Sequence, residues 1–258
     1  MDRDLRLTNC RRALEEKSRE NEDLTRAFYA LVAQQVDELQ RVGRLRRFLS
    51  PQLAELALVA GGEALLESHR QDVTVVFCDL RGFTALAEAA TAEELMRVLS
   101  EFHEVLGRTV FDFGGTIERF AGDAIMVFFN DPLPCPDAAA RALRMSLAMQ
   151  KRVRPLINAW RARGHELELG IGIAAGLATL GQVGFAGRVD YAAIGRVTNL
   201  ASRLCAAAAG AQILVDETVA FRSQGRFLSR TVGPLWLKGL HAAVQAFEIR
   251  DELPTGTA

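Results

Sequence analysis

Residues 72–79 read DVTVVFCD and residues 114–131 read GGTIERFAGDAIMVFFND, and these two stretches decide the fold. The first is a nearly unbroken apolar run between two aspartates, which predicts a central strand over Asp72–Asp79 covered on both faces. The second opens on paired glycines that stop a preceding helix, then places Thr116–Phe120 and Ala124–Phe129 on either side of Ala121-Gly122-Asp123. Two short apolar runs around a glycine turn predict a β-hairpin. Between the stretches, Thr91 with Glu94 reads as a capping box that starts a helix running to about Phe111.

Toward the C-terminus, Pro136 and Asp137 open a second long helix through Arg161, stopped at Gly164. Leu167–Gly176 reads as a glycine-interrupted strand, Val197–Ala209 as a helix, and Ile213–Asp216, Trp236–Lys238 and Gln245–Ile249 as late strands. Strands alternating with helices in this order predict an α+β (mixed α/β) domain. The run GIGIAAGLATLGQVG lacks the G-x-G-x-x-G spacing of a dinucleotide loop and no G-K-[ST] follows it. Strand glycines that permit close packing at a dimer seam are the better reading.

Toward the N-terminus, Leu5–Leu45 has no proline and one glycine, with Leu14, Leu24, Phe28, Leu31, Val32, Leu39 and Val42 at helical spacing. The register slips between Leu31 and Val32, and Asn21 and Gln35 lie near the seam, so an imperfect dimerising coiled coil is expected, with a helix folded back on the domain as the alternative. Ser50 as cap and Pro51 at the first helical position open a short helix through Leu58, ended by Gly61 and Gly62. The expected organisation is a helix over 1–47, a hinge over 48–70 and the main folded domain over 71–258.

The 258 residues, 49% of them hydrophobic, can bury a full core, and the net charge of −1 offers neither a nucleic-acid stripe nor a polybasic arm for a lipid surface. No apolar run reaches the roughly 18 residues of a membrane span and the N-terminus is charged, so no membrane association and a cytoplasmic location are expected. Cys10, Cys78, Cys135 and Cys205 show no C-x-x-C pairing and read as small buried hydrophobes or idle thiols. His69, His103, His165 and His241 have no motif context and read as surface or satisfied core histidines.

The chemistry rests on two aspartates. Asp79 closes a buried strand, where a carboxylate needs a charged partner, and Asp123 sits in the hairpin turn beside Gly122. Taken alone, either is also ordinary turn or strand-end chemistry. If the strands are neighbours, both carboxylates converge, and two hard oxygen donors without His or Cys suit Mg²⁺ or Mn²⁺.

FCDLRGFTAL, GGTIERFAGDAIMVFFND and DYAAIGRVTNLASRL, in that order, resemble the class III adenylate and guanylate cyclase family over Asp72 to about Ile249. The resemblance implies a ferredoxin-like βαββαβ catalytic domain with extra C-terminal strands, and two metal ions held by Asp79, Asp123 and the Leu80 carbonyl. One ion would lower the pKa of the ribose 3′-hydroxyl, and the other would hold the β- and γ-phosphates. It also implies that Asn199 orients the ribose, that Arg203 stabilises charge on the α-phosphoryl group, and that Lys238 in WLKGL contacts triphosphate, with Arg188 a further phosphate candidate. Asn199 and Arg203 stand four apart and share a helix face, which local pattern alone would read as a solvated surface.

In the family the metal aspartates come from one protomer and the Asn, Arg and Lys set from the other. A chain carrying both sets is expected to form a homodimer with composite sites. The base-reading positions are Arg119 and Ala192. Neither side chain can accept a hydrogen bond, so ATP is expected over GTP, unless a register slip turns Glu118 toward Arg119 and supplies an acceptor. The competing readings are a guanylate cyclase, a non-catalytic nucleotide-binding regulatory domain and a scaffold. An upstream sensor domain or protein acting through the N-terminal helix is the expected regulator.

Overall fold

The structure is a computed structural model that describes residues 17, 19–21, 24–26, 28–29, 31–36, 50–58, 66–185 and 188–254. The chain forms two compact units, Met1–Ala54 and Glu55–Ala258. In the first, the described residues among 17–36 are helical, and Leu24, Phe28, Leu31 and Val32 of the expected stripe are exposed. Leu14, Leu39 and Val42 lie outside the described residues. Helix α1 (Pro51–Leu58) begins on its proline as expected, while Gly61 and Gly62 also lie outside them.

In the larger unit the order is β1 (His69–Arg81), α2 (Phe83–Ala89), α3 (Ala92–Asp112), β2 (Thr116–Ala121), β3 (Ala124–Phe129), α4 (Ala138–Ala162), β4 (Glu168–Phe185), β5 (Arg188–Ile194), α5 (Arg196–Ala207), β6 (Ile213–Asp216), α6 (Glu217–Arg222), β7 (Phe227–Leu235) and β8 (Val244–Glu252). The strands form one eight-stranded sheet in the order β2-β3-β1-β4-β6-β8-β7, with β5 paired to the far end of β4. The α+β expectation therefore holds, and DVTVVFCD lies in the middle of the sheet, antiparallel to both β3 and β4.

Alternation along β1 sorts the sheet into two faces. Val76, Cys78 and Leu80, with Ile125, Val127 and Phe129 of β3 and Ile171 and Ile173 of β4, pack against Phe102 and Leu106 of α3 and Leu143 and Met149 of α4. The other face carries Val73, Val75, Phe77 and Asp79, and α5 lies on it. Gly172 makes that contact possible, because a Cβ there would stand 2.0 Å from the Cys205 nitrogen and 2.5 Å from the Ala201 carbonyl oxygen. The close partner of this glycine is a helix of the same chain, which corrects the expectation of a dimer seam at that position.

Other expectations are corrected by long-range pairing. Trp236–Lys238 is not a strand: the chain pairs with β8 over Phe227–Leu235 and then leaves the sheet, with Trp236 79% exposed and Gly239 at φ 81. Strand β4 continues past Gly176 to Phe185 because β1 pairs with it as far as Leu180 and β5 pairs with its remainder. Thr91 does cap α3 by accepting from the Glu94 backbone. The Glu94 side chain, however, turns to Arg163 (3.1 Å) and His165 (3.2 Å) instead of closing a capping box.

Candidate active site

Register brings the two aspartates together. The Cα partners of Asp79 are Ala124 on β3 and Gly170 on β4, so Asp123, one residue before Ala124, is delivered beside it by the hairpin turn. Gly122 makes that turn with φ 61; a Cβ would meet nothing there, so the glycine serves the left-handed backbone and not the space. His103 of α3 donates from Nε2 to the Gly122 carbonyl at 2.8 Å and its ring lies 4.7 Å from that of Phe120. Burial holds this imidazole below its ordinary pKa. It is thus a satisfied histidine, as read from the sequence, but one that holds the turn before Asp123.

Burial first, then the negative charge of Asp79, with which it shares a hydrogen bond, pushes the Asp123 carboxyl up to about 6, while Arg81 opposes the rise. A cation bound beside Asp123 would offset the cost that burial and the neighbouring Asp79 place on its ionised form. The donor set fits a hard cation: the described residues hold no cluster of three or more His, Cys, Asp or Glu, so further ligands would be backbone, water or substrate oxygens, as Mg²⁺ and Mn²⁺ take them. Leu80 is 3% exposed and its side chain belongs to the helix-side core, which leaves only its backbone for a ligand role.

Sequence reasoning missed Arg81. Its guanidinium pairs with the Asp79 carboxylate, donates from Nε to the Ala208 carbonyl at 2.9 Å and bonds the Cys205 carbonyl through Nη2. It lies across Gly170, where a Cβ would stand 2.5 Å from Nη2. Asp79 is thereby fastened to the C-terminal end of the helix that carries Asn199 and Arg203. The charged residue two positions after Asp79 was the available signal, but its carbonyl partners sit more than a hundred residues away.

On β2 the pairing slips between Ile117 and Arg119, a bulge that leaves Glu118 as the extra residue. Ile117, opposite Val127, faces the helices, and Phe120 packs on His103 of α3; both residues between them turn to the opposite face. Glu118 therefore does not point away from Arg119, as simple alternation would have it. Its side chain is 4% exposed and accepts from the Ala193 backbone N–H at 2.9 Å, and Arg119 lies 3.5 Å away, itself 62% exposed. Burial raises the Glu118 carboxyl, and the Ala193 N–H and Arg119 pull it back down. Ala192 and Arg119, the two expected base-reading positions, thus flank one buried carboxylate.

Asn199 and Arg203 are both exposed on α5, one turn apart. Lys238 is exposed in the turn after β7, and Arg188 is exposed at the start of β5, opposite Phe185. The acidic pair and the base-side residues are brought together within the chain. The phosphate candidates stand at the surface, without a bond to the acidic pair among the described residues.

A mixed sheet with paired carboxylates at its β1–β3 junction is the arrangement expected of a nucleotidyl cyclase catalytic domain. The chain belongs to the adenylate and guanylate cyclase catalytic domain family, which matches residues 66–250. It is similar to the adenylyl cyclase CyaB from P. aeruginosa, with 37% identity and a TM-score of 0.71 over 73% of this chain and 98% of that one. The guanylyl cyclase Cya2 is 30% identical, with a TM-score of 0.67 over 74% of this chain and 98% of that one. Adenylate cyclase 1 of Rhizobium meliloti (strain 1021) is 32% identical over 192 residues, which are 73% of this chain and 28% of that protein. Adenylate cyclase of Anabaena cylindrica is 33% identical over 150 residues, 57% of this chain and 30% of that protein. The chain thus matches less than a third of the length of these two curated relatives.

Proposed function

We propose that this chain converts ATP to 3′,5′-cyclic AMP and pyrophosphate as a homodimer with two composite sites. The observation that carries the reading is the meeting of Asp79 and Asp123, which the β1–β3 register brings side by side, with burial and Asp79 making Asp123 costlier to ionise. Asp79, Asp123 and the Leu80 carbonyl would hold Mg²⁺ or Mn²⁺. When bound there, the cation supplies activation of the ribose 3′-hydroxyl and offsets charge on the departing pyrophosphate. Asn199 of the second copy orients the ribose, and Arg203 places a permanently charged fork against the α-phosphoryl group. Lys238 and Arg188 bind the triphosphate, and Arg119 donates to the purine.

A second copy also suits the β4–β5 arm, where Leu177, Val183, Phe185, Val189 and Ile194 are all exposed in the single chain. The N-terminal helix (1–47) and the hinge (48–70) would set the relation of two catalytic domains (71–258) and carry a signal from a sensor domain or protein. Buried, unpaired Cys78, Cys135 and Cys205 suit a cytoplasmic location.

Cyclisation of GTP is the second reading, favoured by one observation: the bulge puts an acceptor, Glu118, beside Arg119, which is the register slip named from the sequence as the exception to the expectation of ATP. Purified protein with Mn²⁺ and either triphosphate, followed by chromatographic identification of the product, decides between them. Faster GTP turnover would overturn the choice of ATP. Mixing Asp79→Ala with Arg203→Ala tests the shared sites and is expected to restore activity that neither variant has alone. Failure with both proteins folded and dimeric would refute the composite arrangement.

A further inference from the structure

Ala192 has no polar side-chain atom, yet an adenine bound between it and Arg119 needs two things: a donor toward its ring N1 and an acceptor for its 6-amino group. Arg119 is the donor. The bulge at Glu118 provides what Ala192 lacks. By placing an extra residue between Ile117 and Arg119 it turns a second side chain to the face that carries Arg119. That side chain is a carboxylate, held by the backbone N–H of the residue next to Ala192.

We propose that Glu118 determines the base specificity, its carboxylate standing in for the Ala192 side chain as the acceptor of the adenine 6-amino group. The proposal rests on the cyclase reading above. The carboxylate's existing bonds set the choice of purine. Guanine presents two adjacent donors, the ring N1–H and the 2-amino group, which are best met by both oxygens of one carboxylate side by side. Here Oε2 is already engaged by the Ala193 N–H at 2.9 Å, and Oε1 is the oxygen nearer Arg119, 3.5 Å from its Nη2. A single oxygen not held by the backbone, ion-paired to a guanidinium donor, matches the single amine and neighbouring ring nitrogen of adenine. The bond across β2 and β5 also fixes the carboxylate before substrate arrives, so little ordering is left to binding.

The test compares ATP with purine riboside 5′-triphosphate, which keeps N1 and lacks the 6-amino group, at pH 8 with Mn²⁺. Wild type is expected to favour ATP by about 10- to 100-fold in kcat/KM, the range for one hydrogen bond to a charged group. In Glu118→Ala and Glu118→Gln the ratio falls to near one, because neither variant leaves a free acceptor at that point. The glutamine oxygen stays on the Ala193 N–H, and its amide turns a donor toward the amine. Each ratio is measured within one protein, so a loss of folded fraction cancels. An ATP-to-analogue ratio that the substitutions leave unchanged overturns the assignment. So does a wild-type preference for GTP that these variants abolish, since it would make Glu118 a guanine reader. If wild type forms no cyclic product from ATP or GTP, the cyclase reading itself fails and the proposal falls with it.

Discussion

Gly172→Ala puts a single methyl group between the sheet and α5. The added Cβ would lie 2.0 Å from the Cys205 nitrogen and 2.5 Å from the Ala201 carbonyl oxygen, both backbone atoms that no rotamer change can move. Ordinary contact begins at 3.4 Å, so the helix must retreat by about 1.4 Å or β4 must buckle. Overpacking of this kind costs about 1–3 kcal/mol, and a chain of this size loses roughly 2–4 °C of Tm per kcal/mol. The helix carries Asn199 and Arg203, and a displacement near 1 Å at such groups lowers kcat by about 100-fold. Thermal unfolding with steady-state kinetics in Mn²⁺ and ATP measures both effects. The expected signature is a kcat loss far larger than the fraction unfolded explains. Gly225→Ala is the control: its φ is 76 and nothing lies within 4 Å of a Cβ there, so it should cost about 1–2 kcal/mol of stability and leave kcat alone. Wild-type Tm and kcat in Gly172→Ala would refute the seating of α5 on β4 and, with it, the route by which the helix is aimed.

Arg81→Ala removes the group that fastens Asp79 to the carbonyls of Cys205 and Ala208. Urea denaturation should show a loss of about 1–3 kcal/mol, and Arg81→Lys should recover only part of it, because an ammonium lacks the planar fork. His103→Ala frees the Gly122 carbonyl and should lower kcat by about tenfold through Asp123. Partial rescue by His103→Gln, which keeps a donor, separates this from loss of packing. Bonds to the Glu67 carbonyl and to Asp131, which also accepts from Tyr191, raise His69 above its ordinary 6.5, against the opposing pull of burial. Its contribution to stability is therefore complete below about pH 6.5 and lost as pH rises through the raised folded value. Tm measured from pH 5.5 to 8.5 should fall more steeply in wild type than in His69→Gln, and parallel curves would exclude the linkage.

Much of the fold was written locally. DVTVVFCD had to be buried on both faces because it has no polar side to show, and Gly122 had to turn because few other residues accept a φ of 61 cheaply. Those two facts put one aspartate at the end of a buried strand and the other in a hairpin turn, and the β1–β3 pairing then brings the two together. What local pattern misjudged were elements whose existence depends on a distant partner. RVDYAAI becomes β5 only because β4 runs on far enough to pair with it, and 227–235 outcompetes Trp236–Lys238 because β8 lies opposite it. Helices α2 and α6, seven and six residues long, have too few turns to show a period.

The sequence by itself determined where each aspartate lies, the hairpin and the helix bearing Asn199 and Arg203, because burial, turn chemistry and helical spacing act over a few residues. Only the tertiary structure decided where the charges go. Alternation along β2 points Glu118 away from Arg119, and the bulge reverses that, because a strand's facing depends on how its neighbour pairs. Arg81 likewise reaches the end of α5 only once β1, β4 and α5 are assembled, since its carbonyl partners lie up to 127 positions along the chain. Gly172 reads as a mere interruption of a strand until the helix that needs its missing side chain is laid across it.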